Sequence, residues 1–424
     1  MHRSCAITLV IFTCATLFCP GASSQNCGGT SVGFLPINDL GQGFYRGVQG
    51  GLYPEGMNRI PDEHLLAGIS LAHQIGPVDL SGNPDPVSGK LVLLSIGMSN
   101  SWQEFSVFKD MVESYPDRSS SLVVVNGAQP GNDINTILDP ESGYWPNVID
   151  SLGAAGVTSS QVQAIWFKQA EAFSGISGND TSFHGYTGEL REKFRDAMNM
   201  IRTQFPNARV CYLASRIYGG YASIQLSPEP FAYFTGWAVK QLIEDQIHGS
   251  PTLRYQGDDP VAPWLAWGTY LWADGMIPRG DGLIWECSDF QRDGTHPSES
   301  GEIKVASGLL DFFSTDETAV PWFLEGTATS VAANEEMPRN FEVAVYPNPF
   351  NPEARIRFEL ASAGHVRLVV LDVTGQTVRE IMNADLPGGT HEGVFHAGEL
   401  GSGVYFYQLH AGGRVVNGKM VLVR

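Results

Sequence analysis

Ser99, Asp293 and His296 are the residues whose types and settings suit nucleophilic chemistry. Ser99 lies in Gly97-Met98-Ser99-Asn100, directly after the apolar run 91–96. A glycine permits a sharp turn there, the hydroxyl is lifted above the strand end, and the amides of a following helix stabilise negative charge. Far downstream, Asp293-Gly294-Thr295-His296-Pro297 sets an acid and an imidazole three residues apart in a tight turn. That spacing suits a histidine base oriented by a carboxylate. Each stretch also has a plainer reading: Ser99 as a helix cap, Asp293 and Thr295 as turn caps, and His296 as a surface residue. On these residues alone both readings stand.

The elements that must position them follow from hydrophobic periodicity. Residues 91–96 have the length and aliphatic content of a buried parallel strand. Trp102, Phe105, Phe108 and Val112 recur at intervals of three and four, which predicts a helix beginning at Asn100 or Ser101. Further strands are predicted at 122–126, 162–167 and 209–214, and helices at 64–72, 189–205, 234–248 and 301–313. Strands separated by helices at this spacing predict an α/β fold in three layers, a parallel sheet flanked by helices, with ligands at the carboxyl ends of the strands. Ser99 follows the first strand, Gly127 opens a glycine-bearing turn (127–133) after the second, and Lys168-Gln169-Ala170-Glu171 follows the third. Tyr218 and Tyr221 follow the fourth, and Trp264, Trp267, Tyr270, Trp272 and Trp285 crowd the region before His296. Such rings either stack on sugars or belong to the core. The glycine-rich stretch 174–188, which carries His184 and a glycosylation sequon at Asn179-Asp180-Thr181, reads as a mobile loop beside the site. Arg216 and Glu171 are polar groups near strand ends that could pair.

Composition bounds the rest. A chain of 424 residues, 43% hydrophobic, can build two or three domains. Residues 1–24 read as a secretory signal peptide: His2 and Arg3, an apolar run from Cys5 to Cys19, then small residues. The apolar run is too short to span a bilayer and no later segment reaches transmembrane length, so no transmembrane segment is expected after cleavage. Cys27, Cys211 and Cys287 allow at most one intramolecular disulfide, and their scatter argues against a zinc site; no metal and no cofactor are expected. The net charge is −19, and acids and bases balance from residue 339 onward, so the excess acid lies in 25–338. Such a surface repels phosphate backbones, which argues against nucleic acid and favours a neutral substrate, although a merely soluble exported protein would carry the same charge.

Four stretches in order, Gly97-Met98-Ser99-Asn100, the turn at 127–133, Trp166-Phe167-Lys168-Gln169-Ala170-Glu171 and Asp293-Gly294-Thr295-His296-Pro297, resemble the blocks of the SGNH (GDSL-like) hydrolase superfamily, carbohydrate-acetylesterase type. The resemblance implies an SGNH/flavodoxin-like domain at 91–324, with 25–90 as an N-terminal extension packed on it. It further implies a secreted serine esterase that removes acetyl or short acyl groups from carbohydrate through an acyl-enzyme on Ser99. His296 would be the base and Asp293 its orienting carboxylate; the Ser99 amide, the Gly127 amide and the Gln169 side chain would form the oxyanion hole. Asn100, Glu171, Tyr218 and Trp285 are the expected substrate contacts. Met98 and Ala170 stand where that branch carries glutamine and glycine, and Gly131 is an alternative to Gly127. These departures motivate a second reading, a non-catalytic carbohydrate-binding cell-surface protein on the same fold.

Beyond a small, polar linker at 325–338, short alternating strands at 356–360, 366–371, 404–409 and 420–423 predict a β-sandwich over 339–424, with turns at Thr374-Gly375, Gly388-Gly389 and Gly412-Gly413. Tyr346-Pro347-Asn348-Pro349-Phe350-Asn351-Pro352, Asp372-Val373-Thr374-Gly375-Gln376 and Gly403-Val404-Tyr405-Phe406-Tyr407 resemble the C-terminal sorting domain of the bacterial type IX secretion system. The resemblance implies that machinery as a partner, and a secreted or cell-surface location. The plainer alternative is an accessory sandwich that binds carbohydrate or spaces the enzyme.

Overall fold

The computed structural model describes residues 26–174, 181–326, 343–348, 350–360, 364–372, 377–398, 400–411 and 414–423. The expected signal peptide at 1–24, Gly175, Gly178, the sequon asparagine Asn179, most of the expected linker at 325–338 and the turns at Thr374-Gly375 and Gly412-Gly413 lie outside the described residues. The chain divides into two units, one ending at Thr329 and the other beginning at Ser330.

The main elements of the first unit are α1 (Asp62–Ala72), β1 (Leu91–Gly97), α2 (Ser99–Glu113), β2 (Leu122–Asn126), α3 (Tyr144–Ala154), β3 (Val162–Lys168), α4 (Phe183–Gln204), β4 (Val210–Ala214), α5 (Phe231–Ile247), β5 (Trp264–Thr269) and α6 (Glu299–Thr315). The five strands form one parallel sheet in the order β2-β1-β3-β4-β5. β1 and β3 are buried along their whole length, as aliphatic runs covered on both faces must be. Leu93 of β1 pairs with Val124 on one side and Ala164 on the other, so successive strands leave β1 in opposite directions. In doubly wound sheets such a reversal marks the strand end at which ligands are held, here the carboxyl end of β1. α2 lays Phe105, Phe108 and Val112 inward, with Phe105 stacked on Trp166 at 5.4 Å and Phe108 against Phe313 of α6, also at 5.4 Å.

The segment before β1 covers the β5 edge of the sheet. His64 on α1 donates from Nε2 to the Leu265 carbonyl (2.8 Å), Trp264 Nε1 donates to the His64 carbonyl (3.0 Å), and Trp267 Nε1 donates to the Leu52 carbonyl (2.9 Å). An unpaired strand edge invites association with other chains, and here it is closed from within. Gly68 lets α1 approach, since a Cβ there would lie 2.4 Å from the Trp264 ring. Cys27 and Cys287 form a disulfide across 260 residues of sequence, and Cys211 is a buried free thiol.

Three local features differ from the sequence expectation. α2 begins at Ser99 with Met98 as N-cap and no side-chain cap, so Ser99 belongs to the first helical turn. The strand β5 was hidden in an aromatic run whose Trp264 is fully buried in the sheet. α4 starts at Phe183, so His184 is helical: the Ser182 hydroxyl accepts from the Gly185 amide (3.2 Å), and the buried stripe Phe183, Tyr186, Leu190 and Phe194 outweighs the poor helix propensity of Gly185 and Gly188.

The second unit contains β6 (Ala344–Tyr346), β7 (Glu353–Leu360), β8 (Gly364–Leu371), β9 (Thr377–Leu386), β10 (Gly389–His396), β11 (Gly403–Ala411) and β12 (Arg414–Leu422). They pair antiparallel in two sheets, ordered β9-β8-β11-β12 and β10-β7-β6. One apolar core that includes Ile356, Phe358, Leu368, Phe395, Leu409 and Met420 serves both sheets. The molecule is thus α/β with a β-rich C-terminal part. Among the described residues no helix is long and apolar enough to cross a membrane.

Candidate active site

The turn after β1 is built for close approach. A Cβ on Gly97 would lie 2.3 Å from the Ser101 hydroxyl, which donates to the Lys168 carbonyl at the end of β3 (2.7 Å). Tyr144, buried on α3, accepts from the Gly97 amide and donates to the Gly127 carbonyl, both at 3.2 Å, and so ties the ends of β1 and β2 together. Asn126 adds a second tie, donating to the Trp102 carbonyl (2.8 Å) and the Ser106 hydroxyl (2.9 Å) of α2. Ser99, half-buried, is thereby fixed at the carboxyl end of β1.

The turn that carries His296 arrives from the other end of the sequence. Gly294 has φ +67°, and a Cβ there would sit 1.8 Å from the Tyr221 carbonyl, so only glycine fits. Gln291 donates its amide to the His296 carbonyl (2.8 Å), and the Ser223 amide donates to the Asp293 carbonyl (2.9 Å). Asn100 Nδ2 donates to the Thr295 carbonyl (2.9 Å), which joins this turn to the Ser99 turn.

The three side chains form a continuous chain. Ser99 Oγ lies 2.8 Å from His296 Nε2, and His296 Nδ1 lies 2.5 Å from Asp293 Oδ2. The other carboxylate oxygen, Asp293 Oδ1, accepts from the amides of Thr295 (2.9 Å) and His296 (3.0 Å). Burial opposes ionisation of Asp293, but the His296 side chain and these amides outweigh it and hold the carboxyl down at about 2. An ionised carboxylate on Nδ1 keeps the proton there and leaves Nε2 free to accept from the Ser99 hydroxyl. Solvent reaches about a fifth of the His296 side chain and a quarter of Asp293, so the chain opens to a ligand.

Beneath it lies an ion pair. Lys168 Nζ donates to both oxygens of Glu104 at 2.5 and 2.6 Å, and neither side chain is more than 1% exposed. Burial drives both toward neutrality: the Lys168 ammonium is drawn down to about 8, and the Glu104 carboxyl is raised. Sequence reasoning missed Glu104, although the signal was present, since it falls on the same buried face of α2 as Ser101, Phe105 and Phe108.

The other expected site residues are engaged inside the fold. Gln169, 1% exposed, donates from Nε2 to the Asn132 carbonyl (2.9 Å) and accepts from the Ala170 amide (3.1 Å). Gly127 is buried, and a Cβ there would lie 2.8 Å from the Ser95 carbonyl. Asn100 is 1% exposed and holds the His296 turn rather than facing solvent. Glu171 pairs with Lys193, not with Arg216. Tyr218 donates to the Gly29 carbonyl (2.7 Å), and the fully buried Trp285 donates to the Leu271 carbonyl (2.8 Å); both are core aromatics. The exposed rings on these turns are Trp102, three residues after Ser99, and Phe173, two after Glu171.

Among the described residues no group of three or more His, Cys, Asp or Glu could hold a metal ion. The concavities lined by Leu71, Arg202 and Arg209, and by Trp145, Ile149 and Met200, contain none of the three hydrogen-bonded side chains. The candidate site therefore stands on its hydrogen-bond geometry rather than on cavity size.

Comparison with known proteins bears on the C-terminal unit. A search of curated proteins returns no significant match. Among solved structures, the crystal structure of an engineered protein aligns at 11% identity over 85% of this chain and 96% of that one, with a TM-score of 0.19, too low to bear on the fold. The family model "Secretion system C-terminal sorting domain" matches residues 344–423. The β-rich unit is accordingly a C-terminal sorting domain of type IX secretion, and the chain is one marked for export to the cell surface or beyond.

Proposed function

We propose that the first unit is an SGNH-type serine esterase that removes acetyl or short acyl groups from carbohydrate. The observation that carries the reading is the hydrogen-bonded series Ser99, His296, Asp293 at the carboxyl end of β1. In this scheme the Ser99 oxygen attacks the acyl carbonyl while its proton passes to His296 Nε2, and Asp293 stabilises the resulting imidazolium. The tetrahedral oxyanion takes a hydrogen bond from the Ser99 amide at the start of α2, a donor worth ~10²–10³ in rate, while Gln169 has only the Nε2 hydrogen that its bond to Asn132 leaves over and the Gly127 amide is buried. Collapse expels the sugar alkoxide, which takes the proton from His296 and leaves an acyl-enzyme. Water, deprotonated by His296, then hydrolyses that ester. Trp102 and Phe173 supply exposed rings on which a sugar can stack.

The test compares the protein with Ser99→Ala on nitrophenyl acetate and on acetylated polysaccharides. The reading requires a loss on the order of 10³-fold or more, with fluorophosphonate labelling confined to the chain that keeps Ser99. Equal rates would end it. A second reading, a carbohydrate-binding surface protein without turnover, is favoured by the Gln169 amide, which already donates to Asn132. It requires glycan retention without ester cleavage or labelling.

A further inference from the structure

Arg216 follows β4 by two residues, at the end of the sheet that carries Ser99 and Gln169. It is 3% exposed, and its Nε is buried with no hydrogen-bond partner. Among the described residues no carboxylate closes an ion pair with it, because the nearby acids are engaged elsewhere. Glu104 is on Lys168, Glu171 on Lys193 and Asp293 on His296. Glu229 accepts from the Gly219 amide (2.8 Å), the Tyr233 amide (3.1 Å) and Trp272 Nε1 (2.7 Å). Glu104 and Asp293 act on Arg216 through their charge, and Glu104 acts likewise on His296, so the guanidinium shares the electrostatic neighbourhood of the base. A buried guanidinium whose Nε has no partner is costly to the fold, and this one offers a planar fork of donors that matches a carboxylate.

We propose that Arg216 is the anchor for a carboxylate on the sugar whose ester is cleaved, so that the substrates are acyl esters of sugar acids of the uronate class. The inference rests on the esterase reading and gives it a substrate class. It also departs from the neutral substrate that the acidic surface suggests. Exposed charges are screened within about 8–10 Å at physiological salt, whereas a buried guanidinium is not. The acidic exterior sets which polymers approach, and Arg216 sets which sugar is held.

Calorimetric titration of the full chain with the methyl glycosides of glucuronic and galacturonic acid, against those of glucose and galactose, tests this without turnover. The wild-type chain should bind each acid at least tenfold more tightly than its neutral counterpart. Arg216→Gln should bring that ratio close to one, and Arg216→Lys should leave an intermediate ratio. Equal binding of acid and neutral sugar by the wild-type chain, no measurable binding of either acid, or an unchanged ratio in Arg216→Gln would overturn the proposal. Should Arg216→Gln fail to fold, the wild-type ratio decides. Acid-selective binding with no ester cleavage would remove the esterase reading and leave the anchor. Cleavage that is indifferent to the carboxylate, with equal binding of acid and neutral sugar, would do the reverse.

Discussion

The two units of the chain differ in one use of charge: both carry exposed ion pairs, such as Arg59 with Asp62 in the first, but the first also buries charged groups. The first withdraws Glu104, Lys168, Arg216 and Glu171 from solvent and gathers them around the carboxyl ends of its strands. The second keeps its described ion pairs on the outside of its strands, among them Arg355 with Glu392, Arg367 with Glu380 and His365 with Asp385. Holding a charge inside costs far more than holding it outside, and exposed pairs add little. A fold that keeps ions at its strand ends sacrifices stability at one place, and that place is where the Ser99–His296–Asp293 series lies. The sorting domain, an address, has no need of such an arrangement.

The contrast can be broken most severely at Asp293. Asp293→Asn should lower esterase turnover by about 10³–10⁴ while the circular dichroism spectrum stays folded, because the imidazole loses its tautomer and its counter-charge. The same variant tests the electrostatics. The folded carboxyl titrates at about 2, below its unfolded value near 4, so its stabilising contribution is present above pH 4 and lost as pH falls toward 2. The drop in Tm between pH 5 and pH 3 should therefore be smaller in Asp293→Asn than in the wild-type chain. Next in size, Glu104→Gln leaves the Lys168 ammonium buried without its partner and should destabilise the first unit by about 3–5 kcal/mol in urea unfolding. Reducing the Cys27–Cys287 bridge should lower stability by about 2–5 kcal/mol, read as a fall in Tm on adding a thiol reductant. Arg367→Ala, which breaks an exposed pair of the second unit, should leave the unfolding midpoint unresolved from wild type. If Glu104→Gln proved as mild as Arg367→Ala, the contrast between the units would collapse.

Much of this arrangement was legible because strand-end chemistry leaves short local signatures. Ser99 after an aliphatic run, and Asp293 and His296 in one turn, could be found from spacing, and so could the four strands with strong aliphatic character. β5 was not, because Trp264-Leu265-Ala266-Trp267 reads equally well as a ligand platform until α1 is known to cover it. Trp285 and Tyr218 misled for the same reason: an aromatic residue in sequence does not say whether its ring faces water or Leu271. Glu104 stayed invisible, and Arg216, visible as a polar group near a strand end, was matched to the wrong partner, since groups far apart in the chain meet only once the sheet is assembled. The sorting domain was easier, its motifs being local turns and alternating strands with little dependence on distant contacts.

The Asn100 amide to the Thr295 carbonyl has a consequence for the working cycle. When the imidazole carries a proton, its contact with the Ser99 oxygen must weaken or reorganise, and a site held together by that contact alone would drift apart between half-reactions. Asn100 never titrates, so the brace it makes between the two turns persists through every protonation state. The nucleophile and the base thus return to the same spacing after each turnover, set by a bolt that the chemistry does not touch.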